Sequence, residues 1–203
     1  EYIRNKYEKN LEGVSKAILE FNKKLIDATH DIIPAVKPQI AFYEMYGLEG
    51  MKAFEETCKY AKEKGMFVIA DIKRGDIGTT AKAYSNAFLG KTKIDEKEES
   101  IYDVDFVTLN PYMGIDAIKP FIEDCKKYDK GAFILVKTSN PSSGDLQDLK
   151  LENGEEVYSD GNDILLNGIT VRLKDRTTGE TVKEMKTGEN TSLGDGEYLF
   201  TDV

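Results

Sequence analysis

Met66-Phe67-Val68-Ile69-Ala70 is an apolar run, and the charged stretch Asp71-Ile72-Lys73-Arg74-Gly75-Asp76 follows it directly. An apolar run that opens into charge predicts a buried strand ending in a polar site. Side chains two residues apart in a strand point to the same side, so we expect Asp71 and Lys73 to project together. Asp76 follows in the turn, where it is expected to complete a carboxylate–ammonium–carboxylate array.

The 203-residue chain is acidic, with 37 Asp and Glu against 28 Lys and Arg and a formal net charge of -9. This balance argues against nucleic acid or an anionic membrane surface as a general partner, but it allows a local basic pocket for a phosphorylated metabolite. No apolar stretch approaches the length of a membrane span, and the first residues have no signal-peptide pattern. We therefore expect a cytoplasmic protein with no nucleic-acid and no membrane partner.

With two cysteines and one histidine, the chain has few of the side chains that a zinc site or a Ser-His-Asp triad requires. Cys58 and Cys125 lie in helix-like stretches, and no metal-ligand spacing links either of them to His30. We interpret both thiols as reduced packing residues. A zinc site is not expected, and the place of His30 at a helix end favours a terminal charge role over a Ser-His-Asp triad. We predict no metal.

Helix and strand patterns alternate from Glu1 to about Tyr158. Strands are predicted at 32–37, 66–71, 105–110 and 132–137, with helical patterns at 2–29, 48–64, 79–89 and 114–127 and a charged loop at 91–100. Each strand ends in polar residues, which is typical of a parallel α/β sheet with its chemistry at the strand C-termini, as in a (β/α)8 barrel. An open doubly wound sheet would give the same pattern. No glycine-rich nucleotide-binding motif follows any strand.

The helical pattern stops after about Tyr158. Ile169–Leu173 alternates apolar and polar residues, 175–180 is predicted as a turn, and 181–186 as the return strand. A second turn at Asp195-Gly196 precedes another short apolar stretch, which leaves too few strands to close a sandwich. We therefore predict an α/β chain with two domains: an incomplete (β/α)8 TIM barrel at residues 1–158, and a small antiparallel β-sandwich fragment at residues 159–203.

Three stretches carry a resemblance to one enzyme family. Val68–Thr80 closely resembles the active-site motif of orotidine 5'-phosphate decarboxylase, and Thr108–Gly114 and Lys137–Ser143 look like the bacterial branch of that family. The Asp-x-Lys-x-x-Asp spacing alone also occurs in related sugar-phosphate decarboxylases, but the three stretches together are specific. The likeness runs from Glu1 to about Tyr158.

The resemblance implies a dimeric (β/α)8 barrel that converts orotidine 5'-monophosphate to UMP and carbon dioxide in pyrimidine biosynthesis, without metal or cofactor. Carried over residue by residue, it implies a catalytic network of Lys37, Asp71, Lys73 and Asp76. Asp71 would lie beside the substrate carboxylate, and Lys73 would protonate the ring carbon left behind. Loss of carbon dioxide leaves a carbanion with no cofactor to delocalise it, so fixed cations suit this chemistry.

The same resemblance implies substrate-binding residues. Asp76, Ile77 and Thr80 would reach into the site of the neighbouring subunit of a homodimer, and Ser139 would contact the pyrimidine. The first strand, with an aspartate for the ribose hydroxyls, and the late strands, with the phosphate-binding loops, find no match in this sequence. Because phosphate binding supplies remote binding energy that is realised in the transition state, we expect a severe loss of activity.

The C-terminal stretches Gly168–Leu173 and Gly196–Phe200 resemble a collagen-adhesin B-type domain of bacterial surface proteins. We interpret the join near Tyr158 to Gly161 as a fusion of two incomplete genes or an assembly artefact. Two alternative functions stay open. One is a related metal-dependent sugar-phosphate decarboxylase, which chelator sensitivity would favour. The other is a bacterial surface or adhesin-type β-domain protein without catalysis, which secretion of the native protein would favour.

Overall fold

Helix and strand alternate along the part of the chain that this computed structural model describes, which is residues 5–149 and the backbone of residues 170–174 and 181–186. In chain order the elements are α1 (Leu11–Thr29), β1 (Ala35–Val36), α2 (Ala41–Glu44), α3 (Gly47–Glu63), β2 (Phe67–Arg74), α4 (Gly78–Phe88), β3 (Thr92–Ile94), β4 (Lys97–Glu99), β5 (Phe106–Leu109), α5 (Ile115–Tyr128), β6 (Gly131–Ile134), a 3-10 turn (Pro141–Ser143), α6 (Gly144–Gln147), β7 (Thr170–Lys174) and β8 (Thr181–Lys186). The chain divides into two compact units, Glu1–Leu135 and Val136–Val203.

A four-stranded sheet forms the centre of the first unit. Its strand order is β1-β2-β5-β6, and every neighbouring pair is parallel. One face of the two central strands is completely buried, with Val68, Ala70, Val107 and Leu109 inaccessible. The opposite face is more open, since Phe67 is 42 % exposed and Phe106 is half-buried. Both strands are near-continuously apolar, which is the pattern that predicts them. The prediction of an α/β fold with a parallel sheet is confirmed.

Helices with one apolar face cover this sheet. The buried residues of α3 recur at helical spacing and include Gly50, Ala53, Phe54 and Cys58. The Phe54 ring is completely buried, and its edge-to-face contact with Tyr43 has a centroid distance of 5.2 Å. Both cysteines are free and buried, as the packing interpretation predicts. Within the described residues, no helix is both long enough and apolar enough to cross a membrane.

Several local predictions differ from the structure. The strand predicted at 132–137 is Gly131–Ile134 and so ends before Lys137, and the helix predicted at 2–29 begins at Leu11 in the structure. The strand predicted at 32–37 is only Ala35–Val36, because Pro34 and Pro38 flank it and proline has no N–H to donate to a ladder. The loop predicted at 91–100 is wrong, since β3 and β4 form an antiparallel hairpin there. Its strands are almost entirely exposed, so no apolar alternation marks them in the sequence.

The second unit contains α6 and the antiparallel pair of β7 with β8. Thr170 pairs with Lys186 and Lys174 pairs with Thr181, which confirms the predicted strand and its return strand. The other features of the predicted β-sandwich fragment, including the turn at 195–196, lie outside the described residues. The predicted join at 158–161 lies outside them as well.

Candidate active site

The backbone pairing at the end of β1 brings Lys37 to Asp71. The Asp71 N–H donates to the Pro38 carbonyl at 3.0 Å, and the Ile40 N–H donates to the Asp71 carbonyl at 3.2 Å. These two bonds fix the chain that follows β1 against the C-terminal part of β2. The Lys37 Nζ then lies 2.8 Å from Asp71 Oδ2. The two predicted residues from different strands therefore form an ion pair.

Lys73 joins the same carboxylate through an irregularity in β2. Between Ala70 and Arg74, β2 advances four residues while its partner β5 advances two, so the strand is bulged. Lys73 takes a positive φ of 47° in this bulge, and its Nζ lies 2.5 Å from Asp71 Oδ1. The two side chains converge as predicted, but through a bulge and not through regular strand alternation.

Asp71 is a buried carboxylate between two more exposed lysines. The residue is 3 % exposed, whereas the side chains of Lys37 and Lys73 are 56 % and 46 % exposed. Burial raises the pKa of Asp71, but hydrogen bonds from Lys37, Lys73 and Thr108 outweigh it and lower the pKa to about 2. The cluster therefore presents a fixed anion with two ammonium groups at an accessible surface.

Thr108 is a third donor to Asp71 that the sequence interpretation did not identify. Its hydroxyl donates to Asp71 Oδ1 at 2.8 Å and accepts from the Lys73 N–H at 3.0 Å. The residue is buried in β5, a strand otherwise made of Phe, Val and Leu. A lone hydroxyl in an apolar buried strand requires a hydrogen-bond partner, and that requirement is the signal that could have revealed it.

Asp76 does not join this cluster. Its carboxylate accepts from the N–H of Ile77 at 2.8 Å, and no ion pair joins it to Lys73 among the residues that the structure describes. The expectation that Asp76 completes the array within one chain is therefore not met. Ile77 is 58 % exposed, and Thr80 is an exposed residue in the first turn of α4.

Ser139 belongs to the second unit. It is exposed and lies shortly before the 3-10 turn. The neighbouring backbone is held by a bond from the Thr138 N–H to Gln147 Oε1 at 2.8 Å. Lys137, at the predicted strand end, forms an ion pair with Asp148.

Arg74 fixes the loop behind the cluster. Its guanidinium pairs with Glu44 and lies 5.4 Å from the centroid of the Tyr84 ring. Its carbonyl accepts from the Asn110 N–H at 2.8 Å. A Cβ at Gly75 would lie 2.4 Å from the Asn110 carbonyl oxygen, so the loops after β2 and β5 meet at a distance that only glycine allows.

An open cleft of about 1500 Å³ lies beside β1, and Lys37 is the one member of the cluster among its lining residues. Its walls are mostly apolar and come largely from α1 and from the segment around β1; they include Val14, Phe21, Leu25 and Val36. Among the described residues, no group of three or more His, Cys, Asp or Glu side chains could hold a metal ion.

The model of the orotidine 5'-phosphate decarboxylase / HUMPS family matches residues 16–198 of this chain. The orotidine 5'-phosphate decarboxylase of Caldicellulosiruptor saccharolyticus is 44% identical over 167 residues, which cover 79% of this chain and 54% of that protein. The enzyme of the same name from Clostridium acetobutylicum is 44% identical over 159 residues, covering 78% of this chain and 52% of that protein. The chain thus spans about half the length of the curated relatives it matches.

Solved structures give the same likeness. The OMP decarboxylase of Leishmania donovani superposes with a TM-score of 0.57 at 35% identity, over 74% of this chain and 53% of that one. The orotidine 5'-monophosphate decarboxylase of Plasmodium berghei superposes with a TM-score of 0.61 at 27% identity, over 77% of this chain and 46% of that one.

Proposed function

Since the chain belongs to the orotidine 5'-phosphate decarboxylase / HUMPS family, we propose that it carries the decarboxylation site for orotidine 5'-monophosphate. The products would be UMP and carbon dioxide, and the reaction would need no metal or cofactor. The observation that carries this proposal is the ion-paired cluster at the C-terminal ends of parallel strands, in which Lys37 and Lys73 both bind the buried carboxylate of Asp71.

The cluster suits a reaction that forms a carbanion. The bond between the pyrimidine ring and its carboxylate would break, carbon dioxide would leave, and the electron pair would stay on the ring carbon. The Lys73 ammonium would then give its proton to that carbon and regain one from solvent. The Lys73 side chain is 46 % exposed, and its Nζ lies 2.5 Å from Asp71 Oδ1, so the ammonium group is both accessible and oriented.

We also propose that the site is completed by a second subunit in a homodimer. Asp76, Ile77 and Thr80 support this, because Asp76 makes no ion pair with Lys73 among the described residues and Ile77 and Thr80 are exposed. In this arrangement they would serve the partner's site, while Ser139 would contact the pyrimidine. The parallel sheet would belong to a (β/α)8 TIM barrel, and the enzyme would be cytoplasmic.

The division into domains at residue 158 stays a proposal. The antiparallel pairing of β7 with β8, after a wholly parallel sheet, supports a change of architecture in the C-terminal segment. The family model, however, continues to residue 198. The likeness of residues 159–203 to a collagen-adhesin B-type domain, and with it the chimeric origin, rests on the sequence pattern.

The test of the function is the loss of orotidine 5'-monophosphate absorbance with purified protein. We expect wild type to turn over slowly, and Lys73→Ala to reduce that rate by about 10²–10⁴-fold, because the proton donor is lost. Lys97→Ala, which removes an exposed lysine of the β3–β4 hairpin, should leave the rate unchanged.

Equal rates for wild type and Lys73→Ala would remove the catalytic proposal. A chelator should not change the wild-type rate. If it abolished turnover, a metal-dependent sugar-phosphate decarboxylase would become the better assignment.

A further inference from the structure

One buried hydroxyl contacts both members of the Asp71–Lys73 pair. Thr108 Oγ1 donates to Asp71 Oδ1 at 2.8 Å and accepts from the Lys73 backbone N–H at 3.0 Å. A threonine hydroxyl has one donor and two acceptor sites, so both bonds form at once. Since an ionised carboxylate only accepts, the direction of the hydroxyl proton is fixed. Thr108 thus joins the side chain of one residue to the backbone of the other.

The backbone that Thr108 holds is an unusual one. Lys73 is a non-glycine residue with φ of 47°, a region that L-residues avoid because Cβ approaches the backbone. Such a conformation persists where its surroundings impose it. The bulge in β2 displaces Lys73 from the regular ladder with β5, and the Thr108 hydroxyl accepts the N–H that the ladder would otherwise satisfy.

Thr108 is also the most rigid donor to Asp71. It is 8 % exposed in the interior of the sheet, whereas the side chains of Lys37 and Lys73 are 56 % and 46 % exposed. Long exposed side chains sample many rotamers, whereas burial and β-branching leave the short Thr108 side chain little rotational freedom. The threonine is therefore the group that can define the rotation of the carboxylate.

We propose that Thr108 is a positioning residue, whose single hydroxyl sets the orientation of the Asp71 carboxylate and the left-handed backbone of Lys73, and so aligns the proton donor. Its effect on turnover rests on the proposed function. Its effect on the geometry of Asp71 does not, so the two can be tested separately.

The geometric arm uses the ionisation of Asp71 as its readout, because the hydrogen bond from Thr108 is one of the contacts that lower the pKa of this carboxyl. The ¹³C shift of the Asp71 carboxyl carbon follows that ionisation. With wild type, we expect the carboxylate to stay ionised down to about pH 3, since its pKa lies at about 2. Thr108→Val removes the hydroxyl at similar volume and should move the titration to higher pH. Thr108→Ser keeps the hydroxyl and should restore the wild-type behaviour. Thr108→Ala replaces the valine variant if that variant does not fold.

The kinetic arm compares kcat with KM for orotidine 5'-monophosphate. We expect Thr108→Val to lower kcat by about 10–100-fold, as is usual for the loss of an orienting hydrogen bond, with a much smaller change in KM. Thr108→Ser should recover most of the loss.

Thr57→Val is the matched control for both arms. Thr57 is also buried, and its hydroxyl donates to the Ala53 carbonyl at 2.7 Å, outside the cluster. This variant should lose stability without changing kcat or the Asp71 titration. An Asp71 titration unchanged in Thr108→Val would overturn the proposal. If wild type has no turnover, the proposed function fails, and the titration alone decides the role of Thr108.

Discussion

The candidate site is built around a single carboxylate. Asp71 receives hydrogen bonds from two lysines and one threonine, although only Lys73 is near it in sequence. The spacing of Asp71 and Lys73 along a strand predicts their convergence from local geometry alone. Lys37 was assigned through resemblance. Thr108 escaped prediction because it lies 37 positions away, and strand periodicity does not reveal which strands pair.

Removing the charge of Asp71 should make the free energy of unfolding depend less on pH in the acid range. The pKa of Asp71 is lowered from 3.8 to about 2, so its ionised form stabilises the folded state fully above about pH 4, and this contribution disappears as the pH falls through about 2. Over that range wild type should lose about 2 kcal/mol of unfolding free energy that Asp71→Asn does not lose. Urea unfolding at several pH values measures this difference. Parallel curves for the two proteins would contradict it.

A single buried carboxylate connects the helices α4 and α5. Asp124 of α5 is 2 % exposed, and it accepts from Ser85 Oγ and from Lys82 Nζ, both of α4, at 2.6 Å. The backbone of Gly90 lies against the same carboxylate, since a Cβ at this position would lie 2.6 Å from Asp124 Oδ2. Because α4 begins directly after the loop that carries Asp76, this clamp holds the segment we propose for the partner's site.

Asp124→Ala should destabilise the protein by about 3 kcal/mol, because the fully buried Ser85 hydroxyl loses a hydrogen-bonded charge. Urea unfolding at neutral pH measures the change. The neighbouring Glu123 is exposed, and Glu123→Ala should stay within about 0.5 kcal/mol of wild type. Equal midpoints for the two variants would show that the clamp contributes nothing.

The sequence predicted the elements of the first unit unevenly, for physical reasons. The helices α3, α4 and α5 begin and end within one residue of their predicted limits, since each carries a buried apolar stripe. The β3–β4 hairpin was missed, because its exposed strands have no apolar face. The bulge in β2 was also missed, since it follows from the match with β5 and leaves no local pattern.

The proposed homodimer predicts that two inactive variants can complement each other. Lys73 and Asp76 are three positions apart, yet they would serve different active sites of the dimer. A mutation at each, carried on separate chains, would leave one site intact in a mixed dimer.

Lys73→Ala and Asp76→Ala chains, each inactive alone, should regain about a quarter of the wild-type rate when they are mixed and reassembled, because half of the dimers are mixed and each has one complete site. The orotidine 5'-monophosphate assay measures the recovery. A mixture of Lys73→Ala with Asp71→Ala should show no recovery, because each site of that mixed dimer would carry one of the two defects. No recovery in the first mixture would refute the shared site.

The two buried cysteines can report the opening of individual helices. Cys58 is completely inaccessible and Cys125 is 9 % exposed; burial raises their pKa values to about 12 and about 11. A thiol reacts as the thiolate, so alkylating reagents modify these positions only when α3 or α5 leaves the sheet. Mass spectrometry of singly and doubly labelled protein would then distinguish the loosening of one helix from the opening of both.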